Sequence, residues 1–385
     1  MYNFVTLLGQ EPLLSNLTLI LLSAGSSSRF EHDVKKQWLR IDHQPLWQFV
    51  AQKFQESNLF KKIVITASND DIAFMQNYAE FSFVEGGSTR QDSLKNALSE
   101  VESEYVLVSD IARACIDFDF IDEILAKKGE SDVVVPYLKV TDTVVFHNET
   151  IDRDAIKRIQ TPQLSKTSTL KNALNTQEEF TDESSAIVAN GGSRSFILGR
   201  DDAHKITYIS DLKKIPCLTK PSSDTLSGNG FDVHQFQENK EMFLGGVKID
   251  SDYGFLAHSD GDVAIHSLID ALLGASGMGD IGMIFPDTDE KYKGADSKEL
   301  LNYVVKKIHQ LGFIIVNVDI TIAAQKPRIG SYKEQMRIVL SKILHIDKSR
   351  VNVKATTTEK LGFIGRGEGV GVWANANLKY FDWSK

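Results

Sequence analysis

The sequence predicts two mixed α/β domains in tandem, and three observations carry that expectation. The chain has 385 residues, more than one hydrophobic core comfortably serves. Its first half alternates short β-rich runs with helical spacings. Its glycines are unevenly spread, 8 in residues 1–210 and 18 in residues 211–385, so different local backbone rules apply in the two parts. Between them, residues 211–226 hold Pro216, Pro221 and several small polar residues without a sustained period, which reads as a linker. The expected division is therefore 1–210, a linker at 211–226, and 227–385.

In the first part, strands are expected at Leu17–Leu22, Lys62–Thr66, Tyr105–Ser109, Asp132–Pro136 and Lys205–Ile209. Helices are expected at Leu46–Glu56, Asp70–Glu80, Arg90–Val101 and Phe120–Lys128. Such alternation implies right-handed crossovers and a covered, mostly parallel, Rossmann-like sheet. Ligands of these sheets sit beyond the carboxyl ends of the strands. The second part reads as α+β. Strand patterns occupy Phe313–Gln325, Val351–Thr356 and Val370–Leu378, and helical spacing occupies Asp260–Leu273 and Tyr332–Leu344.

Composition excludes several classes. With 42% apolar and 25% charged residues the chain has material for a core, so disorder is not its main state. A net charge of -9 opposes nonspecific binding to nucleic acid or anionic membranes, while leaving room for local basic pockets. The apolar run Leu13–Leu22 is broken by Ser15, Asn16 and Thr18 and falls short of the ~18 residues of a membrane span. Glu11 and the lack of a basic leader make the cytoplasm the expected compartment. Cys115 and Cys217 are too few for a disulfide framework and too distant in sequence for a CxxC pair.

Phosphate chemistry is suggested in the first part. After the first strand comes Ser23-Ala24-Gly25-Ser26-Ser27-Ser28-Arg29-Phe30, small residues that let backbone N–H groups approach a phosphate. It is neither a Walker loop nor a GxGxxG fingerprint, and a plain turn would use the same residues. Arg29 and Lys36 flank it and would suit a triphosphate. Gly86-Gly87-Ser88-Thr89-Arg90-Gln91-Asp92-Ser93 is a second glycine turn ahead of a helix, and Asp110 ends a strand where magnesium would sit. Arg153, Thr161-Pro162-Gln163 and Lys205 follow near further strand ends.

This ordered set, with Lys36-Gln37, Asp110…Ala112-Arg113 and Asp142-Thr143, resembles the 2-C-methyl-D-erythritol 4-phosphate cytidylyltransferases over roughly 17–210. The resemblance implies that CTP and methylerythritol phosphate give CDP-methylerythritol and pyrophosphate by in-line attack on the α-phosphorus, with Mg2+. Carried over by motif, Arg29 and Lys36 would stabilise the transition state, with Arg153 and Lys205 also catalytic. Ala24, Gly25, Arg90, Ser93 and Asp110 would hold the nucleotide. Arg113, Thr143, Arg153 and Lys205 would bind methylerythritol phosphate, some from a neighbouring subunit. Ser23, Ser27, Phe30, Lys35, Ile111 and Ala114 depart from the usual residues around these motifs.

The second part holds Phe231-Asp232-Val233-His234, where i and i+2 share a side of a strand and can meet one ion. With His266 they make a three-ligand set that leaves a coordination position open. Ordinary polar contacts would use the same residue types. Glu359, after Thr356-Thr357-Thr358, would suit magnesium. Together with Ala257–Val263, Gly279–Gly282, Phe285–Asp289, Lys293–Ser297 and Gly365–Gly369, these residues resemble the 2-C-methyl-D-erythritol 2,4-cyclodiphosphate synthases over roughly 227–380. Arg328, where lysine is common, is a small departure.

That resemblance implies cyclisation of CDP-methylerythritol 2-phosphate with release of CMP. Zn2+ or another divalent ion would lie on Asp232, His234 and His266, and Mg2+ on Glu359. His258, Ser259, Asp280, Gly282, Phe363 and Arg366 would contact the substrate, and Ala324, Arg328, Thr356 and Thr357 the nucleotide. It further implies trimers with a ferredoxin-like sheet facing the centre and sites between subunits. A first domain that dimerises and a second that trimerises would close as a hexamer. A kinase must act between the two reactions, so that kinase is a candidate partner. Two alternatives stand beside this reading: a first domain acting on another sugar or polyol phosphate, and one domain serving only as a scaffold.

Overall fold

The computed structural model describes residues 16–385 apart from Ser26, Asp287 and Lys293 and the side chain of Ser28. Glu11, Leu13 and those three motif residues lie outside the described residues. The chain forms two compact units, one mainly Lys36–Lys220 and the other mainly Pro221–Asp382, with Trp383–Lys385 belonging to the first.

The first unit contains an eight-stranded sheet. In chain order its elements are β1 (Leu17–Leu22), α1 (Leu46–Glu56), β2 (Lys62–Ala67), α2 (Asn69–Met75), β3 (Ser82–Glu85), α3 (Arg90–Leu98), β4 (Tyr105–Asp110) and α4 (Phe118–Leu125). β5 (Val133–Lys139), β6 (Lys157–Ile159), β7 (Gln163–Lys166), α5 (Thr167–Ala173), α6 (Glu183–Ala189) and β8 (Arg194–Leu198) complete it. The sheet order is β6-β5-β7-β4-β1-β2-β3, with β8 beside β5. β3, β2, β1 and β4 run parallel, and β7 enters antiparallel between β4 and β5. β1 and β4 are buried along their whole length, as strands covered on both faces must be. α1 turns Leu46, Trp47, Val50, Ala51 and Phe54 inward, each large side chain contributing about 1.5–3 kcal/mol of burial.

One expectation is corrected here, and one pairing that the sequence left open is added. Lys205–Ile209 is not a strand; the last strand of the sheet is β8, and Lys205 lies in an extended loop whose Ile206 N–H donates to Ala112 O at 2.9 Å. Cys115 and Cys217, 102 residues apart, form a disulfide with Cα atoms 5.7 Å apart. Distance in sequence did not keep them apart, because the chain after Ile206 runs back along the loop that follows β4. The front of the presumed linker is likewise structured: Ile209–Lys214 is a 3-10 turn with Asp211 and Leu212 buried.

The second unit is a two-layer α+β sandwich. Its elements are β9 (Leu226–Glu238), β10 (Tyr253–Phe255), α7 (Val263–Ser276), α8 (Ser297–Gln310), β11 (Phe313–Ala323), α9 (Lys333–Leu344), β12 (Val351–Thr356) and β13 (Gly369–Tyr380). The sheet order is β10-β9-β13-β11-β12, antiparallel except for β11–β12. The layers are those expected, but the connectivity is not ferredoxin-like. Both final strands follow α9, and β13 inserts between β9 and β11, where a β-α-β-β-α-β chain would place other neighbours. Among the described residues no helix is long and apolar enough to cross a membrane.

Candidate functional sites

In the first unit, the loops after β1, β3 and β4 meet at the crevice where strand order reverses, between β1 and β4. They enclose a cavity of about 450 Å³ lined by Ala24, Gly25, Arg29, Lys36, Arg90, Ser93, Asp110 and Lys205, among others. Gly86 is required by close approach, since a Cβ there would stand 2.2 Å from Ala24 Cβ. α3 begins with a capping box, Thr89 Oγ1 accepting from Asp92 N at 3.0 Å and Asp92 Oδ2 from Thr89 N at 3.3 Å. That cap places Arg90 and Ser93 on the cavity wall.

Asp110 is the charge centre of this wall. Its Oδ2 is 2.8 Å from Lys205 Nζ and accepts from Thr161 Oγ1 at 3.2 Å, and its Oδ1 is 3.8 Å from Arg90 Nε. Burial works against its ionisation, yet Lys205, Arg90 and Arg113 hold its pKa down to about 2. Burial and the neighbouring Lys205 and Arg29 lower Lys36 to about 8, with Asp110 and Asp211 opposing them. Its Nζ donates to Ile206 O at 2.8 Å. Arg113 does not line the cavity; it is buried, donating to Thr161 Oγ1 at 2.9 Å and to Ala203 O at 2.5 Å. Thr143 and Arg153 are exposed beside the hairpin Val144–Phe146/Glu149–Ile151, away from the cavity, with Arg153 Nη1 donating to Thr141 O at 2.7 Å. Glu183, fully buried and 2.7 Å from Arg90 Nη1, escaped sequence reading. Its neighbour Asp182 caps α6, so the pair has the residue types of an ordinary helix start and nothing local marks Glu183 as an ion-pair partner.

In the second unit, β9 and α7 bring the candidate ligands together. Gly228 and Gly230 let the helix backbone approach, because a Cβ would stand 2.1 Å from Ala271 O or 2.0 Å from Ser267 O. Ser267 Oγ then donates to Gly230 O at 3.1 Å and bonds the helix to the strand. Asp262 caps α7 and also accepts from Gly245 N at 2.8 Å and Gly246 N. His266 is thus held beside Asp232 and His234, with ligand atoms of all three within 4.8 Å of one another. Asp232 Oδ2 lies 3.2 Å from His234 Nδ1 and 3.4 Å from His266 Nδ1.

The donor set fits a divalent ion. His234 Nδ1 is buried and makes no hydrogen bond, the state of a nitrogen aimed at a metal. The far nitrogen of His266 is oriented by Ser297 Oγ at 3.0 Å and Ser259 Oγ at 3.3 Å, and Ser297 is anchored on Asp260. Burial raises the cost of ionising Asp232, but the two histidines hold its pKa far below the usual carboxylate range. A cavity of about 480 Å³ opens over the triad and is lined by His258, Ser259 and Gly282 as well. Asp280 does not line it; it caps the turn Ile281–Ile284, accepting from Met283 N at 3.0 Å.

The other expected residues of this unit lie elsewhere. Ala324, Arg328, Thr356, Thr357, Glu359, Phe363 and Arg366 do not line that cavity. Ala324 N donates to Thr356 O at 3.0 Å, joining the ends of β11 and β12. Glu359 has φ 50° and accepts from Thr357 Oγ1 at 3.0 Å. Arg366 pairs with Glu368 at 2.6 Å.

Comparison with known proteins agrees with this division. The 2-C-methyl-D-erythritol 4-phosphate cytidylyltransferase family matches residues 17–218, and the YgbB family matches residues 226–379. The bifunctional enzyme IspD/IspF of Sulfurimonas denitrificans is 69% identical over 385 residues, covering all of both chains. That of Aliarcobacter butzleri is 53% identical over 96% of this chain and 99% of its own. The bifunctional IspDF structure from Campylobacter jejuni superposes with a TM-score of 0.88 at 48% identity, covering 96% of this chain and 100% of that one. The chain belongs to the family of bifunctional IspD/IspF enzymes, with a cytidylyltransferase and a cyclodiphosphate synthase of the methylerythritol phosphate pathway on one polypeptide.

Proposed function

We propose that residues 1–210 carry the cytidylyl transfer and residues 227–385 the cyclisation, with 211–226 as the connection, and that each uses the cavity described in its unit. For the first reaction, the convergence of Arg29, Lys36, Arg90 and Lys205 on one cavity is the carrying observation. The loop Ser23–Phe30 and Ser93 bind the triphosphate of CTP, and Arg29 and Lys36 offset charge growing on the α-phosphorus as the substrate phosphate attacks. Asp110 is the one carboxylate on the described cavity wall, and its cation partners keep it ionised. Mg2+ would be held mainly by the phosphates, with Asp110 as its protein neighbour. Lys205 orients methylerythritol phosphate. Arg113 acts through Asp110. Thr143 and Arg153 reach the substrate of a neighbouring subunit, a role supported by the exposed Val145 and Phe146 of their hairpin.

For the second reaction, Asp232, His234 and His266 would hold zinc or another divalent ion, and Glu359 magnesium. When bound, such ions supply Lewis-acid polarisation of a phosphoryl oxygen. His258 and Ser259 bind the phosphate, Asp280 and Gly282 shape the methylerythritol end, and Ser297 fixes the His266 ring. Ala324, Arg328, Thr356 and Thr357 hold the CDP part of a neighbour's substrate and Phe363 and Arg366 contact its remainder, completing a site between subunits. The open sheet face supports a trimer: Phe231, Val233 and Trp373 are 49%, 43% and 40% exposed there, with the two rings 4.7 Å apart. Dimers through the first unit would then give a hexamer. We place the enzyme in the cytoplasm, away from nucleic acid and membrane, with the intervening kinase as a transient partner.

A phosphorus NMR time course tests both assignments. The purified chain receives methylerythritol phosphate, CTP, ATP, magnesium and zinc, and the separate kinase is added halfway. Pyrophosphate and CDP-methylerythritol should form first, then cyclodiphosphate and CMP. Absence of the first pair rejects the transferase assignment, and absence of the second after confirmed phosphorylation rejects the cyclase assignment. Competition among CTP, UTP and ATP checks the nucleotide.

A further inference from the structure

Behind the first cavity lies a buried carboxylate that none of these roles employs. Asp71 stands in the first turn of α2, where its N–H donates to the capping Ser68 Oγ at 3.3 Å. Its side chain is buried, the residue being 3% exposed. Oδ2 accepts from Gln37 Nε2 at 3.2 Å, and Oδ1 accepts from Trp38 Nε1 at 3.1 Å. Both donors belong to the 3-10 turn Lys36–Trp38, and both are buried.

The contacts continue to the nucleotide loop. Ser27 Oγ donates to Gln37 Oε1 at 3.3 Å and accepts from Lys36 N at 3.2 Å. The Gln37 amide is therefore held at both ends, and a flipped amide would set its oxygen against the carboxylate. Ser27 itself has φ 57°, a backbone state that needs such support outside glycine. A buried carboxylate is a costly way to fill space, but its two oxygens can accept from two fixed donors at once.

We propose that Asp71 is a positioning residue for cytidylyl transfer, its carboxylate fixing the Lys36–Trp38 turn against the loop Ser23–Phe30. It touches neither substrate nor reacting atoms; it presents Lys36 and the Ser27 backbone together. The inference rests on the reading that Lys36 acts on the nucleotide. Misplacement of such a group by about 1 Å can cost ~100-fold in rate.

The test uses Asp71→Asn in the full chain, with cyclodiphosphate synthase turnover as an internal control. The expected result is a fall of about 10- to 100-fold in transferase kcat, little change in KM for CTP, and unchanged cyclase turnover. A second readout is the alkaline limb of kcat/KM for CTP, set by Lys36 at about 8 among Lys205, Arg29, Asp110 and Asp211. Loosening the turn lets water reach the amine, so the limb should move to higher pH.

A transferase kcat within about twofold of the parent overturns the inference, since no misplacement has then occurred. A fall in kcat that tracks a lower unfolding temperature and leaves the limb in place also overturns it, because Asp71 is then only structural. If Asp71→Asn does not fold, Trp38→Phe removes one donor and keeps an aromatic side chain. It should lower the transferase alone by several-fold and move the limb, and an unchanged Trp38→Phe enzyme overturns the inference. Lys36→Ala separates the two levels. If that variant stays active, the reading of the site fails and takes the inference with it; if it is inactive while Asp71→Asn is normal, only the inference fails.

Discussion

In the first unit, loops from several strands turn Arg29, Lys36, Arg90, Ser93, Asp110 and Lys205 toward a single cavity. In the second, Asp232, His234, His266, His258, Ser259 and Gly282 share a cavity, while Ala324, Thr356, Thr357, Glu359 and Arg366 do not line it. The contrast follows from architecture. A doubly covered parallel sheet points its strand ends the same way, so separate loops meet in one crevice. A two-layer sandwich with one open sheet face spreads its strand ends and leaves apolar side chains such as Phe231, Val233 and Trp373 exposed.

The strongest way to break this comparison is to remove one of the three proposed metal ligands. Asp232→Ala or His266→Ala should lower cyclase turnover by about 1,000-fold or more, the equivalent of ~4 kcal/mol of lost charge stabilisation, with transferase turnover unchanged. Parallel assays of both reactions on one preparation decide it, and a coupled loss of both activities would show that the units are not independent. Lys36→Ala should do the reverse, lowering transferase kcat by about 100- to 1,000-fold while the cyclase is spared.

Mixing variants sharpens the contrast in assembly. Chains carrying Asp232→Ala and chains carrying Glu359→Ala should each be inactive as cyclases, yet co-assembly should restore about a quarter of the sites if two subunits build each one. Recovery of nothing would mean that one chain supplies the whole cyclase site. The same pairing of Lys36→Ala with Asp110→Ala should recover nothing in the transferase, because both residues line the cavity of one and the same chain.

The smallest effect is on pH. Lys36 carries its charge below its folded pKa of about 8 and loses it as pH rises through that value. Transferase kcat/KM for CTP should therefore fall about tenfold per pH unit above that point, while the cyclase lacks this limb. A flat transferase profile between pH 7 and roughly 9.5 would remove Lys36 from the essential charges.

Much of the fold was legible because the signals are local. Leu46–Glu56 and Val351–Thr356 have the expected bounds, and β1 and β9 carry their motifs at the expected places. Where the reading missed, the deciding interaction was distant. Lys205–Ile209 has strand-like residues but lies outside the sheet, and β8 takes the place beside β5. Cys115 finds Cys217 because the loop after Ile206 returns along Ala112. Glu183 and Asp71 look like helix-start acids, which they are, and only folding sets them against Arg90 and against Gln37 with Trp38.

The amino-acid order by itself determined the family, the two chemistries, the helix caps, the glycine turns and the ligand pair spaced two apart on a strand. Each depends on residues within a few positions of one another, where backbone geometry sets what the side chains can do. Tertiary structure alone decided strand order, the departure from ferredoxin-like connectivity, the partners of Asp110, and the absence of Glu359 from the cavity over Asp232, His234 and His266. Those depend on which surfaces bury against which, a property of the packed chain as a whole.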